Sequence, residues 1–392
     1  MGKSQASKLI HRIEAELASL ASQGQLRKLG AINGVNLSSN DYLGLSADPR
    51  LRSAIAAVLA EGEAVASTGS RLLSGNAKIW EELEDEIAQF MGSEASLYFN
   101  SGYSANQGLL TAVIQPGDVV FSDGLNHASI IDGLRLSGAR KVIFPHLDLD
   151  ALERELRKPE FAAAQKFIVS ESIFSMDGDR ASISDLVTLA ERHGAEVIID
   201  EAHATGVMGP RGRGLVAAEG LAHRVLATVH PCGKALGGMG GFVCCSEKLK
   251  QYLVNRARTF IFSTALPPYM AAQMRAVIPV VAAADRERSH LAALATSLRQ
   301  SLRDAGFDIG RSDSHIIPIL LGENERALRF SKLLSDAGFG VPAIRPPSVP
   351  SGTSRLRISL NARLSAPVLA RFVDALVTIR QEEQVPMHAA HP

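Results

Sequence analysis

Glu196-Val-Ile-Ile-Asp200-Glu-Ala-His203, a glycine-rich turn to Gly214, and His230-Pro-Cys-Gly-Lys234-Ala-Leu-Gly-Gly-Met-Gly-Gly-Phe-Val-Cys-Cys245 decide how the chain is read. The short apolar run Val197–Ile199 ends directly in an acid. That pattern predicts a buried parallel strand presenting Asp200 at its carboxyl end, where open α/β sheets bind ligands. Farther on, Lys234 stands alone among glycines and apolar residues. A lysine deprived of solvent there has a lowered pKa and an amine usable as a nucleophile.

Outward from this stretch, strand and helix patterns alternate. Leu97–Phe99 reads as a strand, and Asn100–Gly108 as a small-residue turn opening a helix through Leu109, Leu110 and Val113. Free amides at such a helix start, with the positive end of the dipole behind them, make a seat for a phosphate. Val119–Phe121 is a strand ending at Asp123, with His127 just beyond. Lys141–Phe144 and Lys166–Ser170 are strands, the second ending at Glu171. Leu149–Leu156 is a helix, and Ser175–Asp179 turns the chain into another from about Ile183. Pro267 and Pro268 end any strand near Thr259–Leu266. A long helical region over Tyr269–Ala305 links to a second domain. That domain holds a strand at His315–Leu321, a helix at Asn324–Ala337, a stiff connector at Arg345–Pro350, a strand at Arg355–Leu360 and a helix ending near Glu383. The fold class is therefore α/β. The expected units are an N-terminal helix and extended segment (1–45), a large domain (46–285), a small C-terminal domain (286–385) and a frayed tail (386–392).

Length fits two domains: 392 residues, 46% hydrophobic and 21% charged, are ordinary globular material. Lys plus Arg equals Asp plus Glu at 41 each, which gives no support for bulk nucleic-acid binding. The three cysteines form no CxxC pair, and so neither a disulfide framework nor a zinc site. Apolar runs stop well short of the about 18 residues that a membrane helix needs. Leu9, Ile10, Ile13, Leu17 and Leu20 follow helical spacing and predict a packed amphipathic helix, not a secretory segment. The cytoplasm is the default compartment.

Asp200-Glu-Ala-His203 matches a helicase tetrapeptide, but the phosphate-loop pattern that an ATPase requires is missing around Lys234. Asp200 and His203 lack the spacing and partners of a metal site. Pyridoxal phosphate (PLP) suits the residues better. It needs an amine for its aldehyde (Lys234), an acid facing its ring nitrogen (Asp200) and a donor near its ring oxygen (His203). It also needs a cover for the ring (His127) and amides for its phosphate (Gly102, Tyr103).

The sequence resembles the α-oxoamine synthases, fold-type I PLP enzymes that join an amino acid to an acyl-CoA thioester with loss of CO₂. The likeness spans about residues 8–382. It rests on Ser39–Ser46, Gly69–Asn76, Asn100–Gln107, Glu171–Gly178, Asp200–Gly206, Gly233–Gly237 and Phe262–Pro268. It implies a large domain with a mostly parallel seven-stranded sheet between helices, and a smaller α+β C-terminal domain. It further implies that Lys234 binds PLP covalently and serves as base and acid at the substrate α-carbon. Asp200 then pairs with the ring nitrogen, His203 approaches the ring oxygen and His127 stacks on the ring. Ser101, Gly102 and Tyr103 serve the phosphate, while Glu171 and Ser175 line the cofactor side. Arg357 with Asn40 holds the amino-acid carboxylate, and Arg27 and Arg345 complete the substrate set. Thr264 reaches the phosphate from a neighbouring subunit, which makes the enzyme a homodimer with its sites at the subunit interface.

Two positions depart from the family pattern. Pro231 stands where a phosphate-binding Ser or Thr is usual, with His230 or another hydroxyl as the substitute, and Trp80 stands where His is common. Ala343–Pro350 and Gly352–Arg357 most resemble the members that use L-alanine with a pimeloyl thioester, on CoA or on a carrier protein. Glycine C-acetyltransferases, 5-aminolevulinate synthases and serine palmitoyltransferases share nearly all the catalytic residues. The alternative of another class, a PLP fold without activity, is opposed by the glycines around Lys234 and by the paired Arg355 and Arg357.

Overall fold

In the computed structural model, which describes residues 7–384, the α/β alternation closes around one large sheet. In chain order the strands are β1 (Val35–Asn36), β2 (Ala95–Phe99), β3 (Val119–Asp123), β4 (Arg140–Phe144), β5 (Lys166–Glu171), β6 (Ala195–Asp200), β7 (Ala227–Pro231) and β8 (Gly241–Cys245). After them come β9 (Ile316–Gly322), β10 (Phe339–Gly340), β11 (Ala343–Ile344) and β12 (Ser354–Ser359). Strands β2 to β8 form the seven-stranded sheet in the order β2-β8-β7-β6-β5-β3-β4, in which only β8 runs against its neighbours.

Both faces of the sheet are covered, which is why its central strands read as apolar runs rather than alternations. Val120, Val169 and Ile198 pack one face, while Phe121, Ile168, Val197 and Ile199 pack the other. Each such side chain contributes roughly 1.5–3 kcal/mol on burial. The parallel strands therefore end together, and Glu171 lies in register with Asp200.

The first five helices are α1 (Lys8–Ser22), α2 (Pro49–Ala60), α3 (Lys78–Met91), α4 (Gly102–Val113) and α5 (Ala128–Ser137). Ser101 caps α4 by accepting from the Ser104 amide, and the His127 ring caps α5 by accepting from the Ser129 amide. Strands β9, β11 and β12 form a separate antiparallel sheet, and β1 pairs with β10.

Several expectations need correction. Helix α1 forms, but none of its residues is buried: Leu9, Ile10, Ile13 and Leu17 stay exposed, so it is not packed within its own chain. The region Tyr269–Ala305 is two helices, Pro268–Ala282 and Asp285–Asp304, broken at Ala283–Ala284. Pro268 opens a helix, using its preset φ at the first turn. Arg345–Pro350 is not extended throughout, because the Ser348 amide turns back to the Arg345 carbonyl at 3.1 Å. The expected frayed tail, 386–392, lies outside the described residues. Among those described, no helix is long and apolar enough to cross a membrane.

Candidate active site

At the carboxyl ends of the parallel strands lies a cavity of about 330 Å³. Lys234, Asp200, His203, His127, Glu171 and Asn40 line it, as do Ser101, Gly102 and Tyr103 at the start of α4. Strand β6 delivers Asp200, β5 delivers Glu171 in register, and the exit of β3 leads to His127. Lys234 follows β7 in a tight loop, in which the Gly237 amide bonds the Lys234 carbonyl at 2.9 Å and the Gly238 amide bonds that of Cys232 at 3.0 Å. Gly240 then reverses the chain into β8 at φ +91°, a conformation open to glycine at little cost. A Cβ on Gly102 would overlap the Pro231 ring, so α4 starts directly against the end of β7.

Asp200 is buried and fully engaged on one side. Oδ2 accepts from Asn106 Nδ2 at 2.7 Å and Oδ1 from the Ala202 amide at 2.8 Å. Asn106 also donates to Ser129 Oγ at 3.0 Å, and that hydroxyl lies 2.8 Å from His127 Nδ1. Because Nδ1 already accepts the Ser129 amide, the His127 proton sits on Nε2.

Above the cavity, Lys234 Nζ lies 3.0 Å from His203 Nε2, and His203 Nδ1 lies 2.6 Å from the Tyr42 hydroxyl. Tyr42 in turn donates to Asn40 Oδ1 at 3.0 Å, which Arg357 Nη1 approaches at 3.2 Å. One set of proton positions satisfies this chain: Lys234 donates to Nε2, and Nδ1–H donates to the Tyr42 oxygen.

Burial lowers the Lys234 pKa, Asp200 and Glu171 partly oppose it, and Arg357 reinforces it, leaving a value of about 8. His203 is held well below the usual range by burial first and by the Lys234 charge second. Burial also lowers His127, against the pull of Asp200. Glu171 is pushed well above the carboxylate range by burial and then by the Asp200 charge. Its Oε1 is buried without a protein partner.

A pyridoxal phosphate fits these residues. The amine, the clamped carboxylate and the amide-bearing helix start face one cavity, and the orphaned Glu171 oxygen lacks a partner there. Ser101, however, spends its hydroxyl on the Ser104 amide and hydroxyl rather than on a ligand. His230 does not replace the hydroxyl missing at Pro231. Its ring stacks on Phe242 inside the sheet, with Nδ1 2.8 Å from Thr205 Oγ1 and Nε2 2.7 Å from Thr228 Oγ1.

Other expected site residues stand apart from the cavity wall. Arg357 is buried behind Asn40, bonding Ser359 Oγ at 2.6 Å and the Ser175 carbonyl. Ser175 is thereby a support of Arg357 through its backbone. Thr264 is exposed, and its carbonyl accepts from Asn100 at 2.5 Å. Arg27 reaches the Pro346 carbonyl at 3.3 Å and Ser348, while Arg345 holds the Gly24 carbonyl. These two arginines fasten the N-terminal segment and are not brought to the cavity. Arg355 pairs with Asp177 at 2.5 Å. Arg71 is likewise occupied, by buried Glu84 at 2.9 Å.

Asn106, Tyr42 and Ser129 were missed by sequence reasoning. Each lies in or beside a stretch already singled out, but none carries a charge or a spacing signal. Among the described residues, no group of His, Cys, Asp and Glu could hold a metal ion.

The family profile described as aminotransferase class I and II matches residues 32–376. The chain belongs to this family, in its α-oxoamine synthase branch. It is 44% identical over 386 residues to an 8-amino-7-oxononanoate synthase of Geobacter sulfurreducens, covering 94% of this chain and 98% of that one. It is 48% identical over 350 residues to the enzyme of that name from Burkholderia thailandensis, covering 88% of each. Among solved structures, a serine palmitoyltransferase of Sphingomonas wittichii superposes with a TM-score of 0.88 at 31% identity, over 98% of this chain and 100% of that one. An 8-amino-7-oxononanoate synthase of Francisella tularensis gives 0.76 at 26% identity, over 90% and 99%. A lysine-to-alanine variant of a serine palmitoyltransferase from S. paucimobilis, 29% identical, was solved with a bound PLP–myriocin aldimine.

Proposed function

We propose that this α-oxoamine synthase condenses L-alanine with a pimeloyl thioester, releasing the thiol carrier and CO₂ and forming 8-amino-7-oxononanoate. One observation carries the reading. The Lys234 amine, bonded to His203, and the Asp200 carboxylate, clamped by Asn106, face one cavity at the strand ends in a chain 44–48% identical to synthases of that name. When bound, PLP supplies an electron sink for charge at the amino-acid α-carbon. Asp200 holds the proton at the cofactor's ring nitrogen, oriented by Asn106 and the Ala202 amide. Lys234 Nζ, with a pKa near neutrality, takes the α-proton of alanine and returns one to the same carbon. His203 orients that amine, and His127, tied to Ser129, covers the cavity. Asn40 meets the substrate carboxylate at the cavity wall, and Arg357, bonded to Asn40 from behind, supplies the positive charge that draws it there.

The same reading makes the enzyme a cytoplasmic homodimer in which Thr264 of each chain serves the other's phosphate site. The thioester carrier is CoA or a carrier protein. A second reading, serine with a long-chain thioester, is favoured by the higher TM-score to the serine palmitoyltransferase.

The test offers purified PLP-loaded enzyme alanine, glycine or serine with pimeloyl-, acetyl-, succinyl- or palmitoyl-CoA, and follows thiol release and product mass. Product from alanine and pimeloyl-CoA alone is expected. Turnover restricted to glycine with acetyl-CoA, or to serine with palmitoyl-CoA, would overturn the assignment.

A further inference from the structure

Behind the cavity, His146 lies between two buried carboxylates. Nδ1 is 2.8 Å from Asp123 Oδ1 and Nε2 is 2.9 Å from Asp179 Oδ2, with the ring edge-on to Phe174 at 4.4 Å between centroids. A neutral imidazole has one N–H and can donate to only one carboxylate, so both contacts require the imidazolium. Burial works against that charge, and the hydrogen bonds and charges of Asp123 and Asp179 outweigh it, raising the pKa to about 9.

The two carboxylates come from different elements, the end of β3 and the turn after β5. Asp123 ends β3 and accepts the Leu125 amide at 2.8 Å and the Leu147 amide at 2.9 Å, fixing the turn that leads to His127. Leu147 itself adopts φ +58°, unusual for a branched side chain, which marks a junction held in place by its surroundings. Asp179 closes the Phe174–Asp179 turn, where its carbonyl accepts the Phe174 amide at 3.0 Å. That turn presents the Ser175 carbonyl to Arg357 Nε and the Asp177 carboxylate to Arg355. Arg180, next in sequence, is engaged elsewhere by Asp313 at 2.7 Å.

We propose that His146 is a positioning residue: bridging Asp123 and Asp179, it clamps the Phe174–Asp179 turn to the β3 exit and so sets Arg357 for the amino-acid carboxylate. The inference rests on the reading of Arg357 as the charge that draws that carboxylate.

The test compares steady-state kinetics of PLP-loaded wild type, H146Q, D179N and the double variant H146Q/D179N. A glutamine at 146 can donate to only one aspartate and leaves the other buried and unpaired, whereas the double variant pairs neutral amides. The expected result for H146Q is a KM for L-alanine raised about tenfold, with kcat and the thioester KM nearly unchanged, and partial recovery in the double variant. A folded H146Q with an unchanged alanine KM, or with a loss confined to kcat, overturns the proposal. Should H146Q fail to accumulate, D179N carries the test alone, with a several-fold rise in alanine KM expected and no rise overturning it. If wild type turns over a different amino acid, the substrate assignment fails. The same KM comparison with that amino acid still decides the role of His146.

Discussion

Lys234 meets its neighbours as a base before it meets any substrate: His203 Nε2 lies 3.0 Å away, and burial brings its pKa to about 8. Capture of pyridoxal phosphate by the apo-protein, followed by absorbance, should therefore accelerate with rising pH to a midpoint near 8. A free lysine would place the midpoint above 10. K234A should abolish turnover and leave the melting temperature nearly unchanged. Asn106 has no charge to advertise it, yet it fixes Asp200 and, through Ser129, His127. N106A should lower kcat about 10–100-fold, the range seen when an orienting partner is lost. The ionisable members, Lys234, Asp200, His203 and Glu171, were legible because an ionisable group ending an apolar strand or isolated among glycines is costly to bury without purpose. Neutral Asn106, Tyr42 and Ser129 carry no such cost signature, and their roles appear only once α4 and the Ser39–Ser46 segment are folded over the cavity. Arg27 and Arg345 bond backbone carbonyls within the chain, since a guanidinium serves a backbone carbonyl as readily as a ligand carboxylate.

Elements translate less directly than residues. The parallel strands β2, β3, β5 and β6 were placed to within a residue or two because burial on both faces leaves an unbroken apolar run, whereas β7, which ends in His230 and Pro231, was not read as a strand. The break at Ala283–Ala284 was hidden by a composition that favours helix on either side. At the start of α4, the Pro231 ring packs where a Cβ on Gly102 would sit. P231S restores a donor beside that helix start and should tighten PLP binding several-fold, read from cofactor retention on dilution. G102A should weaken it by forcing α4 away from β7. His146 makes a further element-level claim, because it joins β3 to the turn after β5. A histidine pKa raised from about 6.5 to about 9 adds stability that is complete below pH 6.5 and is lost as pH rises through 9. Melting curves of wild type and H146Q across pH 6–10 should therefore converge at the alkaline end. A constant gap would contradict the charged bridge.

At the scale of the molecule, several large apolar side chains have nothing of their own chain to cover them. Leu73 is 82% and Phe262 is 71% exposed, beside Leu72 and Met239. These belong to one continuous rim: the Ala265 amide bonds the Gly69 carbonyl at 2.9 Å, and Ser67 Oγ bonds the Leu266 carbonyl at 2.9 Å. Asn100, which lines the cavity, holds the Thr264 backbone on the same rim. If a second copy covers this rim, two-fold symmetry makes the contact reciprocal, and whether each Thr264 serves the facing site is open to a direct test. Light scattering should give twice the 41.8 kDa chain mass, and F262E should shift it toward the single chain with loss of bound cofactor. The sharper measurement is complementation. K234A and T264A chains, unfolded and refolded together, pair at random, and half of the product is hybrid. If Thr264 acts across the interface, each hybrid holds one site with both lesions and one with neither, so activity returns to about a quarter of wild type. If Thr264 serves its own chain, every site keeps one lesion, and the mixture stays at or below the activity of T264A alone.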